Sequence, residues 1–372
     1  MKFIDEYRAP QMVKGLLSRI RKKAARLPRD ITVMEVCGSH TTAIARFGIR
    51  ELLPDNIRLL SGPGCPVCVT SSHEIDLALT LAQQPGVIFC SFGDLLRVPG
   101  SDGDSLEKIR AAGACVATVH SALEALSLAQ NHAERQIIFM GIGFETTSPT
   151  VAAAILRAQK LKLSNFFLFA CHKLMPPVMQ SLLDAKEINI DGFLCPGHVA
   201  TIIGARAFTF IGQQKKAAVV AGFEPTDILA ALDLLLEELT EKPSPVRIQY
   251  QRAVTFAGNR KAQAIMAEVF QTVPAKWRGL GELSASGLGL RDEFIQFEAL
   301  SRFSIENIPK STMPSPCRCG DILRGLISPA DCPLFGRRCT PANPAGPCMV
   351  SGEGSCAAAY HYQTPFQIHH QG

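Results

Sequence analysis

Aromatic residues are scarce in this 372-residue chain, at 7% with one Trp and four Tyr. An all-β protein built on an aromatic core is therefore not the expectation. No run of about 18 apolar residues occurs, so no segment reads as a membrane span. The opening stretch, MKFIDEYRAPQMVKG, places acids early and lacks the apolar centre of a secretion signal. Charge is also sparse, at 19% of residues, and the formal net charge of +5 contains no long basic block. That removes the electrostatic footprint of a nucleic-acid binder. The densest basic group, Arg19, Arg21, Lys22, Lys23 and Arg26, falls on one helical stretch and reads as a solvated face. These absences predict a cytosolic protein with neither a membrane nor a nucleic acid as partner.

Hydrophobic residues, by contrast, make up 47% of the chain, enough for substantial cores. Thirteen cysteines stand out. In a reducing compartment they must serve as core residues, metal or cluster ligands, or a working redox pair rather than as a disulfide framework. The 29 glycines and 24 prolines favour a turn-rich α/β protein.

Apolar residues recur at three- and four-residue steps over 11–27, predicting an amphipathic helix that Pro28 ends. Strand-like runs follow at 31–36, 57–60, 87–90 and 115–119, with helical patterns between them. The same rhythm resumes at 136–140, 165–171, 192–195 and 217–221. Alternation at this pitch means parallel sheets covered by helices. The predicted class is α/β: two related parallel-sheet domains plus a third, mainly helical and irregular one. The expected divisions are 1–28 for an N-terminal helix packed on the body, 29–132 and 133–225 for the two α/β domains, and 226–372 for the third. Within the last, helices are expected over 226–241 and near 260–273. Beyond Pro314 periodicity disappears while six cysteines crowd into 316–356, so something covalent or metallic must hold that segment.

Ligands of open parallel sheets sit beyond the carboxyl ends of the strands. Here those ends read Cys37-Gly-Ser-His40, Gly62-Pro-Gly-Cys-Pro-Val-Cys68 and Cys90-Ser-Phe-Gly-Asp94, then Gly141-Ile-Gly-Phe-Glu-Thr-Thr147, Cys171-His172 and Cys195-Pro-Gly-His198. Cys90, Cys115 and Cys171 read as small core residues. Cys65 and Cys68 suit a redox pair or shared metal ligation; no further ligands lie at zinc-finger spacing, which favours redox work. Cys37 and His40 could present a thiolate and an imidazole to one cleft and so bind Fe(II), although His40 could equally be a plain helix residue. Cys317 or Cys319, with Cys332, Cys339 and Cys356, offers four thiolates for a [4Fe–4S] cluster, structural zinc being the alternative. Cys348 is surplus to that count.

Taken together, Cys37-Gly-Ser-His-Thr41, Gly62-Pro-Gly-Cys-Pro-Val-Cys68, Gly93-Asp-Leu-Leu-Arg-Val-Pro-Gly100, Gly141-Ile-Gly-Phe-Glu-Thr-Thr147, Pro196-Gly-His198 and Ser351-Gly-Glu-Gly-Ser-Cys-Ala357 resemble the motif set of the HypD family of hydrogenase maturation factors. The resemblance runs from about residue 30 to Tyr362. It implies a redox-active assembly factor, rather than a conventional turnover enzyme, that helps build the Fe(CN)2CO centre of [NiFe]-hydrogenases. It also implies a small HypC-type partner and the HypE–HypF pair as cyanide donor. Residue by residue, the resemblance makes Cys37 the iron-holding cysteine, Cys65 and Cys68 the redox pair, and Cys317 (or Cys319), Cys332, Cys339 and Cys356 the cluster ligands. His40, Asp94, Glu145, His198 and Glu353 fall in its motifs as cleft candidates. A general cluster-dependent thiol–disulfide reductase and a zinc-stabilised chaperone are the rival readings.

Overall fold

Short runs rich in Ile, Val, Leu and Phe, each followed by a capped helix, fold as buried parallel strands because both of their faces are covered. In the computed structural model, which describes residues 5–185, 187–240, 244–303, 305 and 316–363, these strands are β1 (Ile31–Glu35), β2 (Ile57–Ser61), β3 (Val87–Ser91), β4 (Val116–Thr118), β5 (Gln136–Gly141), β6 (Phe166–Ala170), β7 (Gly192–Pro196) and β8 (Ala217–Ala221). A two-residue strand, β9 (Arg247–Ile248), follows β8. β3, β7 and β8 are buried at every position, as strands with two covered faces require.

Sheet membership does not follow the expected division at 132/133. One parallel sheet has the order β2-β1-β7-β8-β9 and the other β4-β3-β5-β6. The chain therefore starts the first sheet, leaves it after β2 to build the whole second sheet, and returns at β7. A cut between residues 132 and 133 would sever β3 from β5, whose Val87 and Gln136 stand in register. Strand–helix rhythm is a local property, whereas the choice of neighbouring strand is made by long-range packing, and the sequence carries no periodic trace of it.

The boundary at 225/226 moves as well. Helix Pro225–Thr240 lies on the first sheet, with Ile228, Leu229, Leu232, Leu235 and Leu236 packed beside Val33, Leu194 and Val219. It closes the sheet layer rather than opening a third domain. On its other side lies helix Pro10–Ala24, whose Leu17, Ile20 and Ala24 are buried. Burial of Leu17 and Ile20 stabilises that docking by roughly 1.5–3 kcal/mol each. Arg19 and Lys23 add ion pairs to the buried Asp233.

The helix expected near 260–273 stops earlier, at Arg260–Val269, and gives way to an antiparallel hairpin of β10 (Phe270–Trp277) and β11 (Gly281–Leu290). Pro274 sits where the register shifts between Val273 and Ala275, a place where its missing N–H is tolerated. The cysteine-rich segment has short helices only, at Cys319–Leu323, Pro347–Val350 and Ser355–Tyr362. Its Cys319, Cys332, Cys339, Cys348 and Cys356 join one apolar cluster with residues of both sheets, among them Met34, Phe89, Phe193 and Val220. No helix among the described residues is long and apolar enough to cross a membrane.

Candidate functional site

Each parallel sheet has one point where strand order reverses: between β1 and β7 in the first, and between β3 and β5 in the second. Ligands of such sheets bind beyond the strand ends at that point. A cleft of about 290 Å³ lies there, with Cys37 just past the end of β1, Pro196 at the end of β7 and His198 in the helix that follows, Phe144 and Thr146 from the turn after β5, and Glu353 from the carboxyl-terminal segment. Three remote stretches of chain thus meet around one thiol.

The turns that carry the sulfurs are locked together. Gly64 approaches the Cys37 backbone so closely that a Cβ there would stand 2.1 Å from the Cys37 nitrogen. The Gly38 N–H donates to the Gly64 carbonyl at 2.9 Å. Cys37 is the N-cap of helix Gly38–Arg46, and its own N–H donates to Oε2 of the fully buried Glu35 at 3.0 Å. Glu35 also accepts from the Thr41 hydroxyl at 2.6 Å. Burial pushes its carboxyl up, against the pull of hydrogen bonds from Ser61, Thr41 and the Cys37 N–H and of the Arg50 cation.

The Cys37 thiol is itself pushed up to about 12, first by burial and then by the charges of Glu353 and Glu35, while the backbone N–H groups of His40 and Ser39 oppose the shift. It therefore stands protonated at neutral pH. Glu353 covers this helix start: it accepts from the Ser39 hydroxyl at 2.8 Å, and a Cβ on Gly38 would collide with its side chain.

Cys65 and Cys68 form a disulfide with Cα atoms 5.2 Å apart. Cys65 caps a single helical turn, Pro66–Val69, and accepts the Cys68 N–H at 3.2 Å. Neither sulfur is exposed: Cys68 is 0% accessible and Cys65 4%. Cys68 Sγ lies 3.9 Å from the Pro347 carbonyl, one residue before Cys348. The pair is thus wedged between the Cys37 turn on one side and the cysteine-rich segment on the other.

In that segment six cysteines line one apolar pocket: Cys317, Cys319, Cys332, Cys339, Cys348 and Cys356, with Ile322, Phe335 and Met349 between them. The thiols of Cys317 and Cys348 hydrogen-bond to Cys319, which holds Cys319 well below the ordinary thiol range and raises its two neighbours. Cys339 Sγ accepts the Ala345 N–H at 3.3 Å, the kind of bond that tunes a cluster sulfur. Among the described residues no three His, Cys, Asp or Glu side chains are drawn together to grip one metal ion. A cluster asks for a different arrangement, with each thiolate on a separate iron. Cys348, surplus by spacing, belongs with the other five.

The remaining candidates divide. His198 lines the cleft, its ring stacked 3.8 Å from Phe223. His40 does not line it: the imidazole is fully buried on the far side of Phe223, with Nε2 2.9 Å from the Gly222 carbonyl, and burial pulls it down to about 4. Cys37 has the extended backbone of an N-cap, so the helical face bearing His40 does not include it. Glu145 is also buried; its Oε1 accepts the Met175 N–H at 3.0 Å, Oε2 has no protein partner, and burial raises the carboxyl to about 7. Asp94 is exposed and accepts from Ser351 at 3.2 Å, beside Glu353 rather than in the cleft. Motif spelling did not single out Glu35 or Phe223. Glu35 had one usable signal, an acid at the end of a strand buried on both faces.

The sequence model of the HypD family, described as "Hydrogenase formation hypA family", matches residues 11–363. The hydrogenase maturation factor HypD of Azotobacter vinelandii is 46% identical over 370 residues, covering 97% of each chain. That of Escherichia coli K12 is 43% identical over 370 residues, covering 98% of each. A third, from Rhizobium leguminosarum bv. viciae, is 45% identical over 370 residues, covering 97% of this chain and 96% of its own.

Proposed function

Because this chain belongs to the HypD family and therefore acts in hydrogenase maturation, we propose that its cleft holds one Fe(II) as cargo while that iron receives cyanide and carbonyl ligands. Cys37 supplies one thiolate, and a small HypC-type protein docked at the cleft mouth supplies another. The HypE–HypF pair delivers cyanide, and the assembly works in the reducing cytosol. The observation that carries this reading is the locking of the Cys37 turn onto the Gly62–Cys68 turn at the strand-order reversal, with Cys68 in turn against Pro347.

A thiol held protonated by burial and by two carboxylates stays inert until a cation arrives. Iron then displaces its proton, and the N–H groups of Ser39 and His40 steady the sulfur that remains. Thiolates are soft enough to hold iron and labile enough to release it later. Glu35 fixes the backbone of Cys37 from behind, so the sulfur meets the metal without reorganising. His198, propped on Phe223, presents an imidazole to the opposite wall.

Cys317, Cys332, Cys339 and Cys356 would hold a [4Fe–4S] cluster, with Cys319 and Cys348 as hydrogen-bonding thiols beside it. The donor set suits such a cluster: only sulfur faces the pocket, apolar side chains exclude water, and a backbone N–H supports Cys339. When bound, it supplies single electrons close to a disulfide that needs two. A general thiol–disulfide reductase would need an accessible sulfur, and the burial of Cys65 and Cys68 argues for a dedicated role inside the complex.

The test is Cys37→Ala in the complex with its small partner, purified without oxygen. Iron beyond the cluster content should vanish, together with the cyanide and carbonyl infrared stretches, while absorbance near 400 nm stays. Unchanged infrared bands would remove Cys37 from the iron site.

A further inference from the structure

Between the disulfide and the cysteine pocket runs one short strip of chain, Trp277-Arg278-Gly279, at the end of β10. On its first side, Trp277 bridges Thr70 and the Arg278 N–H donates to the Val69 carbonyl at 2.9 Å, so the strip is tied to the exit of the Cys65–Cys68 turn. On its second side, Gly279 takes φ +78° and presses on Gly320, where a Cβ would come within 2.2 Å of the Gly320 Cα. Gly320 directly follows Cys319.

The Arg278 guanidinium straddles this seam. Its Nε donates to the Thr70 carbonyl and its Nη1 to the Ser72 hydroxyl, each at 2.9 Å, while Nη2 is buried with no protein partner. An arginine keeps its charge at any physiological pH, and a buried donor left unpaired is costly unless a negative charge answers it. The cysteine pocket lies on that side: Gly279, the next residue, presses on Gly320, which directly follows Cys319. The side chain also lines a cleft of about 770 Å³ whose wall includes Pro316 and Ala345 from the cysteine segment.

We propose that Arg278 is a positioning residue shared by the two sulfur sites: it pins the exit of the Cys65–Cys68 turn and sets its charge against the cysteine pocket, raising that pocket's affinity for electrons. The inference rests on reading the pocket as an electron-holding site. Each electron taken up adds one negative charge, with no bond made or broken and no proton moved, so a fixed cation favours the reduced form.

Anaerobic redox titration of the complete protein, followed near 400 nm, tests this with R278Q and R278K. In R278Q the ratio of reduced to oxidised pocket at a fixed potential should fall about tenfold, which is about 59 mV for a one-electron couple. R278K keeps the charge but cannot make every bond, and should stay within threefold of wild type. Hydrogen exchange at residues 68–72 should rise in both, because the pin is loosened in both. An unshifted R278Q overturns the proposal, as does an R278K shift equal to that of R278Q, which would reduce Arg278 to packing. If R278Q fails to fold, R278K decides alone, and a change beyond threefold overturns it. A wild-type preparation with neither iron nor acid-labile sulfide brings down the electron-holding reading and the proposal with it, a result distinct from an unshifted variant.

Discussion

Gly64→Ala asks whether the two sulfur-bearing turns must touch. The new Cβ would lie 2.1 Å from the Cys37 nitrogen, 2.4 Å from its Cα and 2.4 Å from the Val36 carbonyl carbon. All three are backbone atoms, so no rotamer change relieves the clash. Ordinary contact begins at 3.4 Å, and the turns must part by about 1 Å. That breaks the Gly38–Gly64 hydrogen bond, now 2.9 Å. The lost bond costs about 1 kcal/mol and the overpacking about 1–3 kcal/mol. A total of roughly 3 kcal/mol is survivable within a stability of about 5–15 kcal/mol, so the variant should fold but melt roughly 4 °C lower. Function should suffer more, because a displacement of about 1 Å at a reacting group costs on the order of 100-fold. Differential scanning fluorimetry, with iron counted per chain in the partner complex, measures both. Gly15→Ala is the control: it lies in helix Pro10–Ala24 with nothing within 4 Å of its Cβ, so it should leave iron retention alone and gain up to about 1 kcal/mol. A G64A protein with wild-type melting and full iron retention would refute the reasoning.

Two further outcomes follow from the buried groups. Glu145 titrates at about 7 in the folded chain against 4.5 in the reference state, because burial disfavours its charge. A carboxyl with a raised pKa gives its full stability below pH 4.5 and loses it as pH climbs to about 7, a swing of about 3 kcal/mol. Glu145→Gln keeps the acceptor for the Met175 N–H and removes the titration; in urea melts its stability relative to wild type should improve steadily from pH 4.5 to 7, and an offset that is constant over this range contradicts the argument. For the cysteine pocket, Cys356→Ala purified without oxygen should lose the absorbance near 400 nm and melt earlier, since this segment has little else to fold around. Cys348→Ala should keep the absorbance; equal loss in both variants would put Cys348 among the ligands.

Strand positions were legible because β3, β5, β7 and β8 are buried on both faces, and such strands must be written as unbroken apolar runs. The hairpin of β10 and β11 was not legible: β10 has one exposed face and a Pro at its register shift, so neither period is clean. Site residues show the same divide. Cys37 and His198 line the cleft, where a strand end, a local feature with a known bearing on ligand position, directs attention. Spacing alone does not show that an N-cap faces differently from the helix it starts, so it leaves open whether His40 shares the cleft with Cys37 or is a plain helix residue, and the fold makes it the latter. Counting to four thiolates ignores sulfurs that come near in space, so Cys348 looks surplus by spacing, and Arg278 carries no sequence signal because its two partners lie more than 200 residues away along the chain.

The double passage between sheets explains why one thiol can be reached from so many directions. Had the chain completed one sheet before starting the next, each strand-order reversal would have been walled by residues close in sequence, and one local motif would have defined it. Instead the reversal beside Cys37 pairs β1 with β7, more than 150 residues on in the chain, while the turn after β5 brings Phe144 and Thr146 from the intervening sheet. Glu353, which covers the start of the Cys37 helix, arrives only with the carboxyl-terminal segment, and Thr42 is tied to the Gly352 carbonyl at 2.9 Å in the same closure. The cleft therefore needs both sheets and the carboxyl-terminal segment in place at once. Of the causes that hold the Cys37 thiol protonated, burial comes first and the Glu353 charge second, and that second cause comes from the carboxyl-terminal segment, so the setting of Cys37 is built jointly by the first strand and the end of the chain.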